Sequence, residues 1–121
     1  MNVGILTAGG VCPGVNNLIH SLTLYENSQG NRVIGFNEGF RGLNNNTRTE
    51  LSRKKIEEGA GSILRVSCES VEIEDALESL KDLDRLYCIC GNESMKGAAS
   101  LALDERVNTN IIGIAKTIFN D

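Results

Sequence analysis

Asn2-Val3-Gly4-Ile5-Leu6-Thr7, then Gly9-Gly10, then Cys12-Pro13-Gly14, then apolar residues at Val15, Leu18, Ile19 and Leu22: the fold is decided in this opening stretch. The first run is apolar and β-prone, glycine and proline stop it, and the later apolar spacing is helical. It reads as strand, tight loop, helix. Working outward, Asn31 to Phe36 (NRVIGF) reads as a second strand, Asn37 to Gly42 (NEGFRG) as a turn, and Asn44 to Thr47 as a short polar loop. Ser52 caps a short helix over Arg53 to Glu58, and Ser62 to Ser67 (SILRVS) offers a marginal strand. Ser70 opens a stronger helix, with Val71, Ile73, Ala76, Leu77 and Leu80 at helical spacing and Glu72, Glu74 and Asp75 at its positive end. Arg85 to Cys90 (RLYCIC) is apolar enough for a strand buried on both faces. Gly91 ends it, a helix follows over about Ser94 to Leu103, and Asn110 to Ile114 (NIIGI) makes a final strand. Strands alternating with helices in this way predict one α/β domain over residues 1–121, an open, mainly parallel sheet with helices on both faces.

Composition narrows the function. The 121 residues carry 16 Asp and Glu against 12 Lys and Arg, a net charge of −4, with no basic cluster. Nucleic acid and anionic membrane surfaces both need concentrated positive charge, so neither is an expected partner. No apolar run approaches the roughly 20 residues of a membrane span. Met1 leads directly into an apolar strand, so no secretory leader is expected and a cytoplasmic location follows. Cys12, Cys68, Cys88 and Cys90 lack the paired spacing of a zinc site, which predicts reduced thiols and no bound metal. Cys88 and Cys90, two apart on a strand, should share one buried face.

In an open parallel sheet, ligands gather where strands end and helices begin. Three such junctions have unusual composition. The first is Thr7 to Gly14, where Gly9, Gly10 and Gly14 would let a backbone approach an anion closely, although a glycine turn is equally a structural device. It matches neither the P-loop nor the dinucleotide fingerprint. The second is Cys90-Gly91-Asn92-Glu93-Ser94, in which Glu93 is either a magnesium ligand or a simple helix cap. The third is Ala115-Lys116-Thr117-Ile118-Phe119-Asn120-Asp121, in which Lys116 and Thr117 are suited to phosphate oxygens.

Taken together and in order, these junctions resemble the N-terminal half of 6-phosphofructokinase, a Rossmann-like domain whose loops read GGDxPG or GGxCPG, GGDGS and PKTIDND. Gly39-Phe40-Arg41-Gly42-Leu43, Leu51-Ser52-Arg53-Lys54 and Ala60-Gly61-Ser62 extend the likeness across almost the whole chain. The resemblance implies a donor-type ligand site built from Gly9, Gly10, Gly14, Phe40, Asn92, Glu93, Ser94, Gly97, Lys116 and Thr117. An alternative effector-type site would use His20, Arg53 and Lys54.

The departures from the pattern carry the functional expectation. Where the family places the aspartate that accepts the sugar hydroxyl's proton, this chain has Phe119, and a phenyl ring accepts no proton. Asn92 replaces the family's magnesium-binding aspartate, and Glu93 the glycine after it, as in pyrophosphate-dependent relatives. Cys68 stands where an arginine is expected, and Ala115 where the third junction has proline. The family's second half, which supplies most sugar-phosphate contacts, would begin where these residues end. The expectation is therefore a non-catalytic binding protein for a phosphorylated small molecule or nucleotide, sequestering it as a homo-oligomer, with no catalytic residue. Magnesium would enter only alongside a phosphate ligand. The alternatives are a 6-phosphofructokinase using ATP or pyrophosphate within an oligomer, and a regulatory partner of a full-length phosphofructokinase.

Overall fold

The structure is a computed structural model and describes residues 1–8, 15–53 and 70–115. The marginal strand expected over Ser62 to Ser67, and all but Arg53 of the helix expected over Arg53 to Glu58, lie outside the described residues. Within them the chain runs β1 (Asn2–Ala8), α1 (Val15–Ser28), β2 (Arg32–Phe36), α2 (Phe40–Asn45), β3 (Arg48–Leu51), α3 (Ile73–Leu80), β4 (Arg85–Cys90), α4 (Asn92–Leu103) and β5 (Asn110–Ala115). The strands form one sheet in the order β3-β2-β1-β4-β5. β1 is parallel to β2 and β4, and β4 to β5, while β3 is antiparallel to β2. The order reverses at β1, the central strand, as in doubly wound sheets.

Period-two alternation divides the apolar residues between two layers. Val3, Ile5, Val33, Leu51, Tyr87 and Ile89 face α1, which meets them with Ile19 and the half-buried Val15, Leu18 and Leu22. Leu6, Ala8, Ile34, Phe36, Leu86, Cys88 and Cys90 face the other way, toward α2, α3 and α4. The two cysteines thus share one face, and both are buried. Across from them, the α1 layer holds a buried charge. Glu26 of α1, 1 % exposed, accepts from Arg85 Nη1 at 2.6 and 2.9 Å, from Tyr87 at 3.3 Å and from Asn31 Nδ2 at 3.3 Å. That network pins the C-terminal end of α1 to the start of β4.

Several expectations are corrected. Asn37 to Gly42 is not simply a turn: α2 begins at Phe40 and takes in Arg41, Gly42 and the first asparagines of the polar run. The glycines are needed for close packing rather than for reversal. Gly39 has φ 60°, and a Cβ on it would lie 2.5 Å from the Thr7 carbonyl oxygen. A Cβ on Gly42 would overlap the Asn37 carbonyl. The polar asparagines are fixtures of the fold: Asn46 is a left-handed C-cap at φ 56°, and its Oδ1 accepts from Arg48 Nε at 2.8 Å. β3 carries no strong strand pattern; it is held as an edge by pairing with β2, by Arg48 over the Phe36 ring at 5.1 Å and by the Arg32–Glu50 ion pair. α3 starts at Ile73 rather than Ser70, because Asn44 bonds the Ser70 carbonyl and the Glu72 N–H and Glu72 itself is extended. α4 starts at Asn92 rather than Ser94, so Asn92 and Glu93 belong to its first turn.

Candidate functional site

Register decides where a ligand can approach. Ala8 of β1, Cys90 of β4 and Ala115 of β5 stand level, each paired with its neighbour. Gly9 and Lys116 follow two of these residues directly, and Gly91 follows the third. Gly91 N–H donates to the Ala8 carbonyl at 3.2 Å, and the Gly91 carbonyl accepts from Met95 N–H at 3.0 Å, starting α4 without a side-chain cap from any described residue. The N-terminus of this 12-residue helix, uncapped by any described side chain, therefore stands at the end of β4, beside the end of the central strand. Two buried polar atoms find no hydrogen-bond partner among the described residues, Thr7 Oγ1 and Asn37 Oδ1, and both lie at this end of the sheet.

Beside the helix start, an open cleft of about 370 Å³ is lined by Phe40, Ser70, Val71, Glu93, Ser94, Lys96, Gly97 and Ser100. Its floor is apolar. Phe40 is 2 % exposed and packs on the bare backbone of Gly97, where a Cβ would come within 3.0 Å of the ring and 3.3 Å of Val71 Cγ1. The rim is polar, with three serine hydroxyls and the exposed Glu93, whose carboxylate accepts from Lys96 Nζ at 3.2 Å one turn away. Cys90 leads into the site from below, and the Cys88 thiol behind it is pushed well above the ordinary thiol range by its hydrogen bond with Cys90 and by burial. Such a thiol is inert rather than nucleophilic.

Four of the expected donor-type residues, Phe40, Glu93, Ser94 and Gly97, thus line one cleft, and Asn92 stands exposed next to them. Gly9, Gly10, Gly14, Lys116 and Thr117 lie outside the described residues. Of the effector-type residues, His20 is half-buried on α1, across the sheet from the cleft, and Arg53 is exposed beyond β3. Lys54 lies outside the described residues. Ser70, Val71, Lys96 and Ser100 were not anticipated. The spacing of 93, 96, 97 and 100 along one helical face could have revealed Lys96 and Ser100. No local pattern announces Ser70 and Val71, which reach the cleft through packing of distant segments. No group of three or more His, Cys, Asp and Glu suited to a metal occurs among the described residues.

Comparison with known proteins places this arrangement. The family model described as phosphofructokinase matches residues 2–121. The chain belongs to the phosphofructokinase family. It is 38% identical to the ATP-dependent 6-phosphofructokinase of Trypanosoma cruzi over 133 aligned positions, which cover 98% of this chain and 27% of that protein. Against the ATP-dependent 6-phosphofructokinase of Sulfurihydrogenibium the identity is 36%, covering 98% of this chain and 39% of the relative. Among solved structures, Pichia pastoris phosphofructokinase in the T-state matches with a TM-score of 0.79 at 21% identity, over 97% of this chain and 15% of that one. Saccharomyces cerevisiae phosphofructokinase matches with a TM-score of 0.75 at 19% identity, over 97% and 20%. The structural matches bear out the Rossmann-like phosphofructokinase fold expected from the sequence. The chain spans about a quarter to two fifths of the curated relatives just compared. No helix among the described residues is long and apolar enough to cross a membrane.

Proposed function

We propose that this phosphofructokinase-family domain binds a phosphorylated small molecule or nucleotide without transferring its phosphoryl group. The observation that carries the proposal is the level ending of β1, β4 and β5 beside the α4 N-terminus and its cleft. The first-turn amides of α4, without a cap from any described side chain, supply donors to an anion there, and the apolar floor with hydroxyl rim suits a nucleoside-sized body. Phe119 supports the absence of turnover, because losing a general base costs roughly 10²- to 10⁴-fold. Among the described lining residues only Glu93 offers a carboxylate, and Lys96 occupies it, so a magnesium ion would depend mainly on the ligand's own phosphate oxygens. A cytoplasmic setting accords with the reduced, buried Cys88 thiol. Self-association accords with Ile112 and Ile114, only half-buried on β5. Light scattering that returned a single 13.1 kDa chain at micromolar concentrations would remove that element of the reading.

The second reading is a 6-phosphofructokinase acting within an oligomer, favoured by 38% identity to an enzyme of that name over nearly the whole chain. One experiment separates the two. The protein is titrated calorimetrically with ATP, pyrophosphate and fructose 6-phosphate, and a coupled assay follows fructose 1,6-bisphosphate formation. Binding without turnover supports the proposal, and robust turnover refutes it. Silence in both assays leaves a regulatory partner of full-length phosphofructokinase as the surviving idea. Phe119→Asp should create no activity, and a gained rate would indicate that only the base was missing.

A further inference from the structure

The cleft wall formed by Ser70 and Val71 does not hold itself in place. These residues precede α3 and lie outside any helix or strand. Among the described residues, the Asn44 side chain bonds the backbone on both sides of Val71. Asn44, near the end of α2, donates from Nδ2 to the Ser70 carbonyl at 3.0 Å and accepts at Oδ1 from Glu72 N–H at 2.8 Å. The amide thereby imitates a strand partner, gripping the backbone on either side of Val71. Directly after this grip α3 begins, with Ala76 N–H donating to the Glu72 carbonyl at 2.8 Å. α2 is itself held to α3 by Ser79 Oγ, which donates to the Leu43 carbonyl at 2.5 Å. From this grip Val71 reaches across to Gly97 and Phe40, the floor of the cleft.

We propose that Asn44 is a positioning residue that sets the width of this cleft, and with it the preference for ligands carrying a nucleoside over bare phosphate chains. It touches no ligand; it acts through Ser70 and Val71. The inference rests on the binding function proposed above. A diphosphate satisfied at the helix start need not reach the Ser70 wall, whereas the sugar and base of a nucleotide fill the space between that wall and Gly97. The clamp therefore acts on one class of ligand and not on the other.

The test compares ATP and pyrophosphate binding by calorimetry in the wild-type protein and in Asn44→Ala, Asn44→Asp and Asn45→Ala. Asn44→Ala should weaken ATP about tenfold, the scale of one to two lost hydrogen bonds, and leave pyrophosphate within about twofold. Asn44→Asp keeps the volume and the acceptor for Glu72 N–H but loses the donor to Ser70. It should fall between, and it serves if the alanine variant fails to fold. Asn45→Ala, an exposed neighbour on the same helix, should match wild type. Unchanged ATP affinity in the Asn44 variants overturns the inference while leaving the binding function intact. Equal losses for both ligands also overturn it, since they mark a general structural role. Wild-type protein that binds pyrophosphate but not ATP refutes the clamp alone, and wild-type protein that binds neither refutes the proposed function along with it.

Discussion

Breaking the Glu26–Arg85 pair should cost unequal amounts depending on which partner is removed. Glu26 is 1 % exposed, whereas the Arg85 side chain is 26 % exposed. In Arg85→Met the carboxylate stays buried with only Tyr87 and Asn31 as donors, both at 3.3 Å. Removing one partner of a buried pair typically costs about 3–5 kcal/mol, and the two remaining donors reduce this to about 2–4. In Glu26→Gln the stranded group is Arg85, which can swing its guanidinium into water, and the amide still accepts one hydrogen bond. That change should cost about 1–2 kcal/mol. The double variant should cost less than the two losses added together, by at least about 1 kcal/mol, because the buried charge and its partner disappear together. Urea unfolding at neutral pH measures all three. Equal costs for the two single variants, or strict additivity in the double, would refute the assignment of Glu26 as a buried charge neutralised by Arg85.

Gly42→Ala should abolish a cooperative unfolding transition or cost more than about 3 kcal/mol, because its Cβ meets the Asn37 backbone, which cannot retreat. Gly30→Ala, at φ 81° with no described atom within 4 Å of the new Cβ, should cost only the left-handed penalty of about 1–2 kcal/mol; similar losses in the two melts would contradict this. The raised Cys88 thiol stays protonated in the folded state above the pH at which the unfolded thiol ionises, so stability is fully present below about pH 8.5 and is lost as pH rises beyond it. Urea midpoints from pH 7 to 10 should fall in wild type and flatten in Cys88→Ala, and parallel curves would remove Cys88 as the cause. Gly91→Ala should leave thermal stability within about 1 kcal/mol of wild type yet weaken binding of ATP or pyrophosphate; a large loss of stability would make Gly91 a packing residue instead.

The sheet was legible because its decisive strands are locally unambiguous. NVGILT, NRVIGF, RLYCIC and NIIGI are apolar, β-prone and punctuated by glycine, and each became a strand within a residue or so of its expected bounds. What was illegible depends on partners far away in sequence. Arg48 to Leu51 is a strand because Val33, Ile34, Gly35 and Phe36 stand opposite it, not because its own residues demand it. Ser70 and Val71 look like a helix start until Asn44, 26 residues earlier, captures their backbone. The NNN run looked like a simple polar connector, yet Asn44 clamps and Asn46 caps. Side-chain amides pairing with backbone leave no periodic trace.

The glycines now divide along a line that composition could not draw. A turn-geometry explanation and a ligand-approach explanation competed for all of them, and the structure answers position by position. Gly39, Gly42, Gly97 and Gly113 each face an atom that a Cβ would crowd: a Thr7 carbonyl, an Asn37 carbonyl, the Phe40 ring and Met95 Sδ. Their presence needs no ligand. Gly91 differs on both counts that would make a glycine structurally necessary. Its backbone, at φ −74° and ψ 176°, is one that any residue adopts, and an added Cβ would meet no described atom within 4 Å. Nothing in the described packing asks for glycine there, yet Gly91 stands beside the Ala8 carbonyl and begins the uncapped end of α4. A bare backbone with open space before it, at a helix start, is what close approach of an anion requires. Of the glycines described, Gly91 is the one whose missing side chain argues for a ligand.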